Sequence, residues 1–74
     1  MLNRYTAVFE EIDKWWVGYA EELPGANVQE RTLEEARDSL KEAIQLVLQA
    51  NREVARKEAE GHEVIREAVN VPVE

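Results

Sequence analysis

The side chains best suited to chemistry in this sequence are two groups of carboxylates. Glu10, Glu11 and Asp13 precede a pair of tryptophans, and Glu21 and Glu22 follow the same aromatic segment. Oxygen ligands of this kind bind Mg²⁺ in phosphoryl-transfer sites. Metal ligands must converge from rigid elements, however, whereas adjacent strand residues point to opposite faces. We therefore expect these carboxylates to be solvated surface, with no metal ion and no catalytic role.

The other candidates for catalysis stand alone in the sequence. His62 is the single histidine and follows Gly61, where a helix is predicted to end, so an exposed capping or linker position is expected. Ser39 has no identifiable partner and lies near the polar side of the same helix. The three glycines are isolated and form no phosphate-binding loop. The sequence therefore indicates a binding protein that needs no cofactor, rather than an enzyme.

Length and composition predict a single domain over residues 1–74 that requires reinforcement. A chain of this size buries only about 60% of its unfolded surface, and natural domains so small usually gain stability from a disulfide, a metal or oligomerisation. The sequence has no cysteine and one histidine, which leaves oligomerisation. We therefore expect a homo-oligomer, a dimer or higher.

The charge of the chain indicates what kind of partner it can bind. Nine basic and sixteen acidic residues give a net charge of −7, which repels phosphate backbones and attracts basic surfaces. No apolar run approaches the roughly 18 residues of a membrane span, and the first residues lack the apolar core of a signal peptide. We expect a soluble, cytoplasmic protein with a basic protein partner and no direct nucleic-acid or membrane binding.

The first part of the chain predicts three strands. Residues 3–11 alternate in the manner of a half-buried strand, and 10–14 form a polar hairpin loop. Residues 15–20 are aromatic and β-branched, which favours a second strand. Leu23-Pro24-Gly25 ends it, because proline cannot donate to a ladder and glycine permits positive φ. Residues 26–29 allow only a short third strand.

The second part predicts one long amphipathic helix. Thr32 with Glu35 matches a capping box, and Gly61 suits the position after a helix end. The helix should therefore run from 33 to 58–60, roughly 40 Å, with its apolar stripe on the sheet. Its last turns should overhang the sheet, where Leu46 could meet another subunit. The apolar stripe consists of Leu33, Ala36, Leu40, Ala43, Ile44, Val47, Leu48 and Val54.

A final strand is predicted after the helix, from the alternation of Val69, Val71 and Val73, with Pro72 restricting it to an edge. The predicted fold class is α+β, in the order β-β-β-α-β. It has a three- or four-stranded, largely antiparallel sheet with one long helix packed on one face.

The second strand is apolar on both faces. Trp15, Val17 and Tyr19 point one way, and Trp16 and its alternate neighbours point the other. A single helix covers only one face, so part of the other should contact another protein chain. The alternative is that a tryptophan at the start of the strand is covered by its own hairpin loop.

The order and spacing of several motifs resemble the HicB family, the antitoxins of type II toxin–antitoxin pairs. The resemblance covers roughly residues 4–50. It rests on an aromatic first strand, Trp15-Trp16-Val17, the acidic turn Glu22-Leu23-Pro24-Gly25, and Thr32 to Ala36 opening the helix. It implies a partial RNase H-like fold without the nuclease carboxylates. The expected protein is a minimal form, without the C-terminal DNA-binding segment of many members.

The resemblance also implies a partner and a binding site. The partner of the family, HicA, is a small basic ribonuclease with a double-stranded-RNA-binding-like fold. An acidic antitoxin would dock on its basic surface and block access to RNA. The expected partner-binding residues are Trp15 or Trp16 as an anchor, the surrounding Glu10, Glu11, Asp13, Glu21 and Glu22, and the turn Leu23, Pro24 and Gly25.

Two alternatives remain open at this point. One is an orphan relative that works as a homo-oligomeric interaction domain without a toxin. The other, from a different class, is a small metal-dependent nuclease on an RNase H-like frame. A divalent ion held by at least three side-chain carboxylates would favour the nuclease.

Overall fold

The computed structural model describes residues 4–72 and shows three strands followed by one helix. The strands are β1 (Ala7–Ile12), β2 (Trp15–Ala20) and β3 (Asn27–Glu30), and the helix is α1 (Leu33–Ala59). The strands form an antiparallel sheet in the order β1-β2-β3. The predicted α+β class and the β-β-β-α order are confirmed.

The hairpin between β1 and β2 is tighter than the predicted loop. Residues 10–14 were expected to be a polar loop, but Glu10 and Glu11 belong to β1, and only Asp13 and Lys14 form the turn. Both turn residues have positive φ, of 49° and 70°. Two residues with positive φ match the twist of a hairpin, which lets β1 extend to Ile12 without a glycine.

The turn after β2 has the geometry that its sequence predicts. The Ala26 amide donates to the Leu23 carbonyl at 3.2 Å, and Gly25 has a φ of 95°. Proline at the second position and a left-handed glycine at the third are typical of a type II turn. The turn lies against the helix, because a Cβ placed on Gly25 would be 3.9 Å from Cγ2 of Val47.

The helix begins and ends where the sequence predicts. The Glu35 amide donates to Oγ1 of Thr32 at 3.1 Å, and the Thr32 hydroxyl donates to Oε1 of Glu35 at 2.9 Å. Gly61 follows the helix with a φ of 78°. Residues 49–58 are all exposed, so the second half of the helix projects beyond the sheet as predicted.

The core between sheet and helix is built on small side chains. Within residues 4–72, the buried hydrophobic residues are Ala20, Ala26, Ala36 and Leu40. Alanines on both layers let the helix approach the sheet closely. The residues that pack around this centre are Tyr5, Phe9, Leu23, Val28, Ile44 and Val47. Over the same part of the chain, no helix is both long and apolar enough to cross a membrane.

The predicted fourth strand is not formed in the described part of the chain. Residues 63–72 are in neither a helix nor a strand, and Val69 and Val71 are exposed; Val73 lies outside the described residues. A strand needs a neighbour for its backbone hydrogen bonds. This segment starts at the far end of the projecting helix, away from the sheet, and has no such neighbour among the residues that the structure describes.

Candidate functional site

The sheet face opposite the helix carries a cluster of large apolar side chains. Phe9 and Val28 pack on the core beneath α1, and a Cβ on Gly18 would contact both, so these three residues lie on the helix side. Side chains alternate along strands, so the neighbouring residues point away from α1. We call this surface the open face; its apolar residues are Val8, Ile12, Trp15, Val17 and Tyr19.

The strand register brings these residues into contact across the hairpin. Val8 is paired with Tyr19, and Ile12 is paired with Trp15 beside the Asp13-Lys14 turn. Cross-strand pairs of aromatic and β-branched residues of this kind stabilise a sheet by roughly 0.2–1 kcal/mol each. The open face is therefore an apolar strip that is continuous along β2 and divided on β1 by Glu10, and it is held by the hairpin itself.

The open face is accessible to a partner. Ile12 is 46% exposed and Tyr19 is 43% exposed, while Val8, Trp15 and Val17 are half-buried. Contiguous apolar surface of this kind usually marks an interaction site, whereas single exposed apolar residues need no explanation. The strip is thus the best candidate for a functional surface.

Arg31 holds the ring of Trp15 in place on this face. Its guanidinium carbon lies 3.8 Å from the centre of the Trp15 ring. A cation over an aromatic face at an exposed site contributes about 0.5–1 kcal/mol. The cover comes from the residue that follows β3, rather than from the hairpin loop considered in the sequence analysis. Nothing in the local sequence signals this pair, because it depends on the pairing of β2 with β3.

The predicted carboxylates do not surround one tryptophan. Glu10 is paired with Val17 on the open face, and Asp13 lies in the turn at one end of it. Glu11 is paired with Trp16, and both lie on the other face with Gly18. The expectation of a single ring of acids was wrong, because consecutive strand residues point to opposite faces.

The second acidic pair lies at the other end of β2, roughly 20 Å from the hairpin turn. Glu22 accepts hydrogen bonds from the Thr6 amide and from the Thr6 hydroxyl, both at 2.6 Å. These bonds lower the pKa of the Glu22 carboxyl group. Leu23 packs on the core, and Pro24 and Gly25 form the turn against α1. These contacts are structural, although Glu21, which is bonded to Thr6, lies next to the Val8–Tyr19 end of the open face.

The remaining polar candidates have structural positions. Ser39, for which no partner was identified in the sequence, is half-buried and donates to Oε2 of Glu30 at 2.7 Å, which joins the helix to β3. His62 is exposed, and its amide caps the helix by donating to the Ala59 carbonyl. Among the residues that the structure describes, no group of three or more acidic, histidine or cysteine side chains is placed to hold a metal ion.

Sequence reasoning identified part of the open face. It placed Trp15, Val17 and Tyr19 on one side of β2 but did not include Val8 and Ile12, although the alternation along β1 could have located them.

Comparison of the chain with protein-family models, with curated proteins and with solved structures found no match.

Proposed function

We propose that this chain is a non-enzymatic protein-binding module that neutralises a small basic ribonuclease by direct contact, as a HicB-like antitoxin does. The observation that carries the proposal is the open face, an accessible apolar strip with Trp15 at its hairpin end. The resemblance in the sequence motifs supplies the class of partner. The net charge of −7 suits a partner that is basic enough to bind RNA.

Trp15 is the residue that we propose as the anchor. Interface hot spots are enriched in tryptophan and arginine, and they bind best when their conformation is already set. The stacking of Arg31 on Trp15 restricts the indole before any partner arrives. Trp16 lies on the helix side of the sheet and is not part of this surface.

Charge would bring the two proteins together, and apolar contact would hold them. The acidic chain attracts a basic surface over about 10 Å at moderate salt, which raises the association rate. Glu10, in the middle of the open face, is placed to meet a basic side chain directly. A ribonuclease covered in this way loses its RNA-binding surface, so the inhibition requires no chemistry from this chain.

The test is co-expression with the product of the neighbouring gene, which should be a small basic protein, scored by growth rescue, co-purification and the Kd of the complex. Trp15→Ala should weaken binding by more than about 2 kcal/mol, roughly 30-fold in Kd. Gln49→Ala, on the exposed side of α1, is the matched control and should bind normally. Circular dichroism of each variant verifies the fold.

Two outcomes would end this proposal. The first is a Trp15→Ala variant that remains folded and binds as tightly as wild type. The second is a neighbouring basic protein that is toxic, yet neither co-purifies with this chain nor is neutralised by it.

A further inference from the structure

The first strand has one edge without a partner inside the described chain. β1 lies at the end of the sheet order and is paired with β2 alone. The Thr6 carbonyl accepts a bond from the Glu21 amide, so Thr6 faces the β2 side. Because backbone groups alternate in an antiparallel pair, the amides and carbonyls of Ala7, Phe9 and Glu11 face outward. An edge of this kind is a template for an added strand.

An apolar groove runs beside the same edge. The helix packs mainly over β2 and β3, which leaves a gap of about 320 Å³ between α1 and β1. Arg37 and Lys41 of the helix also line it and make it basic. The apolar lining consists of Tyr5, Ala7, Phe9, Leu40 and Ile44.

The segment after the helix has the complementary character. Residues 63–72 are in neither helix nor strand and are exposed, with Ile65 88% and Val69 77% exposed. In an extended strand, Ile65, Glu67, Val69 and Val71 fall on one side. That side offers three β-branched apolar residues to the groove and one carboxylate to Arg37 and Lys41.

In a single copy, only the last residues of this segment could reach the groove of the same chain. Gly61 lies 17 residues beyond Ile44, which is roughly 25 Å along the helix axis. An extended chain needs about eight residues to return that far. Residues 61–68 would be spent on the return, and Ile65 and Glu67 would never reach the groove. A second copy can supply the whole segment.

We propose that this chain forms a two-fold symmetric dimer by strand exchange. Residues 63–72 of each copy add as an edge strand to β1 of the other copy, with Ile65, Val69 and Val71 in the groove. The exchange is reciprocal, so two equal contacts form and no edge of β1 is left open. The projecting half of α1 then lies beside the partner copy, which covers the exposed Leu46 and Val54.

This inference does not depend on the ribonuclease proposal, because it uses the helix side of β1 and leaves the open face free. It also explains how so small a core is sufficient. The chain completes its sheet and its core with a segment of which its own geometry could return only the last residues, and oligomerisation is a usual means of stabilising domains of this size.

The first experiment measures the mass of the 74-residue chain by light scattering at about 20–200 μM, a range that suits weak dimers. Wild type should be a dimer. Val69→Lys should shift it to monomer, because it brings a cation into an apolar groove that already holds Arg37 and Lys41. Asn70→Lys adds the same charge at the adjacent position on the other side of the strand, and it should remain a dimer. A wild-type monomer, or a Val69→Lys variant that dimerises like wild type, would refute the exchange.

The second experiment locates the segment. A sample is mixed from copies labelled with ¹⁵N and copies labelled with ¹³C, then unfolded and refolded together. Nuclear Overhauser contacts between the β1 amides of one label and the Val69 and Val71 methyl groups of the other can arise only between copies. Their detection supports the exchange. A dimer with these contacts only within one copy, or with unprotected Ala7 and Phe9 amides, would contradict it.

Discussion

The ring of Phe9 lies directly over Gly18 on the neighbouring strand. The two residues are paired in the register, and a Cβ built on Gly18 would be 2.8 Å from both Cδ1 and Cε1 of the ring. No residue other than glycine leaves room for the Phe9 ring at this position. The close approach keeps Phe9 flat on β2 beneath the helix, and it fixes which face of the sheet becomes the core.

Gly18→Ala should therefore destabilise the fold. The new methyl group forces the Phe9 ring to move, and overpacking of this kind costs about 1–3 kcal/mol. Urea denaturation of the variant and of wild type measures the change. Because the cost arises from the ring, it should fall in a Phe9→Leu background, where the double-mutant cycle gives the coupling. An equal cost in both backgrounds would show that the ring is not responsible.

The link between Thr6 and Glu22 should appear in the pH dependence of stability. The two Thr6 hydrogen bonds lower the pKa of the Glu22 carboxyl group from its ordinary value of 4.5. A carboxyl group with a lowered pKa in the folded state stabilises it above the unfolded pKa, and that stabilisation is lost as the pH falls through the folded value. The link should therefore contribute fully near neutral pH and progressively less below about pH 4.5.

The measurement is Tm against pH for wild type and Glu22→Gln. Since the other carboxylates titrate in both proteins, the difference in Tm isolates Glu22. Wild type should have the higher Tm at pH 7, and the gap should narrow on acidification. Thr6→Val removes the hydroxyl donor and keeps the amide, so its Tm at pH 7 should lie between the Tm of wild type and that of Glu22→Gln. A gap that stays constant from pH 7 to pH 3 would mean that Glu22 does not titrate against these bonds.

Local signals predicted most of this fold. The helix was predicted to within a residue, because both of its ends have a local sequence signal, the Thr32–Glu35 capping box at the start and Gly61 after the end. The second strand was predicted with its observed bounds for the same reason, since its aromatic run ends in a proline-glycine turn. Elements that carry their own start and stop signals are readable without tertiary information.

The features that were missed depend on distant pairing. The hairpin turn at Asp13 and Lys14 is set by the pairing of Ile12 with Trp15, and no local sequence signal predicts this register. Alternation showed that one face of β2 would be uncovered, but not which tryptophan would be on it. Small residues settle that question: Gly18 leaves room for the Phe9 ring and Ala20 is buried against the helix, so their face becomes the core and Trp15 faces away. The segment after α1 has no strand partner among residues 4–72, so its alternation alone could not fix its conformation.

The capping threonine Thr32 should contribute about 1 kcal/mol to the free energy of unfolding. In Thr32→Ala, the Glu35 amide loses its acceptor at 3.1 Å and the reciprocal bond is lost as well. Substitution of a capping threonine by alanine costs about 0.5–2 kcal/mol in measured cases. Urea denaturation gives the change, and Thr32→Ser, which keeps the hydroxyl, should remain close to wild type. Equal losses in both variants would mean that the hydroxyl is not the stabilising group.

A substitution in the hairpin turn should stabilise the protein rather than destabilise it. Lys14 has a φ of 70°, where a Cβ meets the neighbouring carbonyl at a cost of about 1–2 kcal/mol. Glycine has no such cost, and aspartate followed by glycine is a favoured sequence for this turn. Glycine also loses more freedom on folding, by about 0.5–1 kcal/mol, which offsets part of the gain.

Lys14→Gly should therefore raise the free energy of unfolding by roughly 0.75 kcal/mol, the difference between the middle values of these two effects. Lys14→Ala is the control, because it removes the same charge and keeps the Cβ; it should be close to wild type. Urea denaturation at equal protein concentration measures both variants, and equal concentration matters because dimer formation would add to stability. If Lys14→Ala gains as much as Lys14→Gly, the benefit comes from the lost charge. If neither gains, the left-handed backbone at residue 14 is not strained.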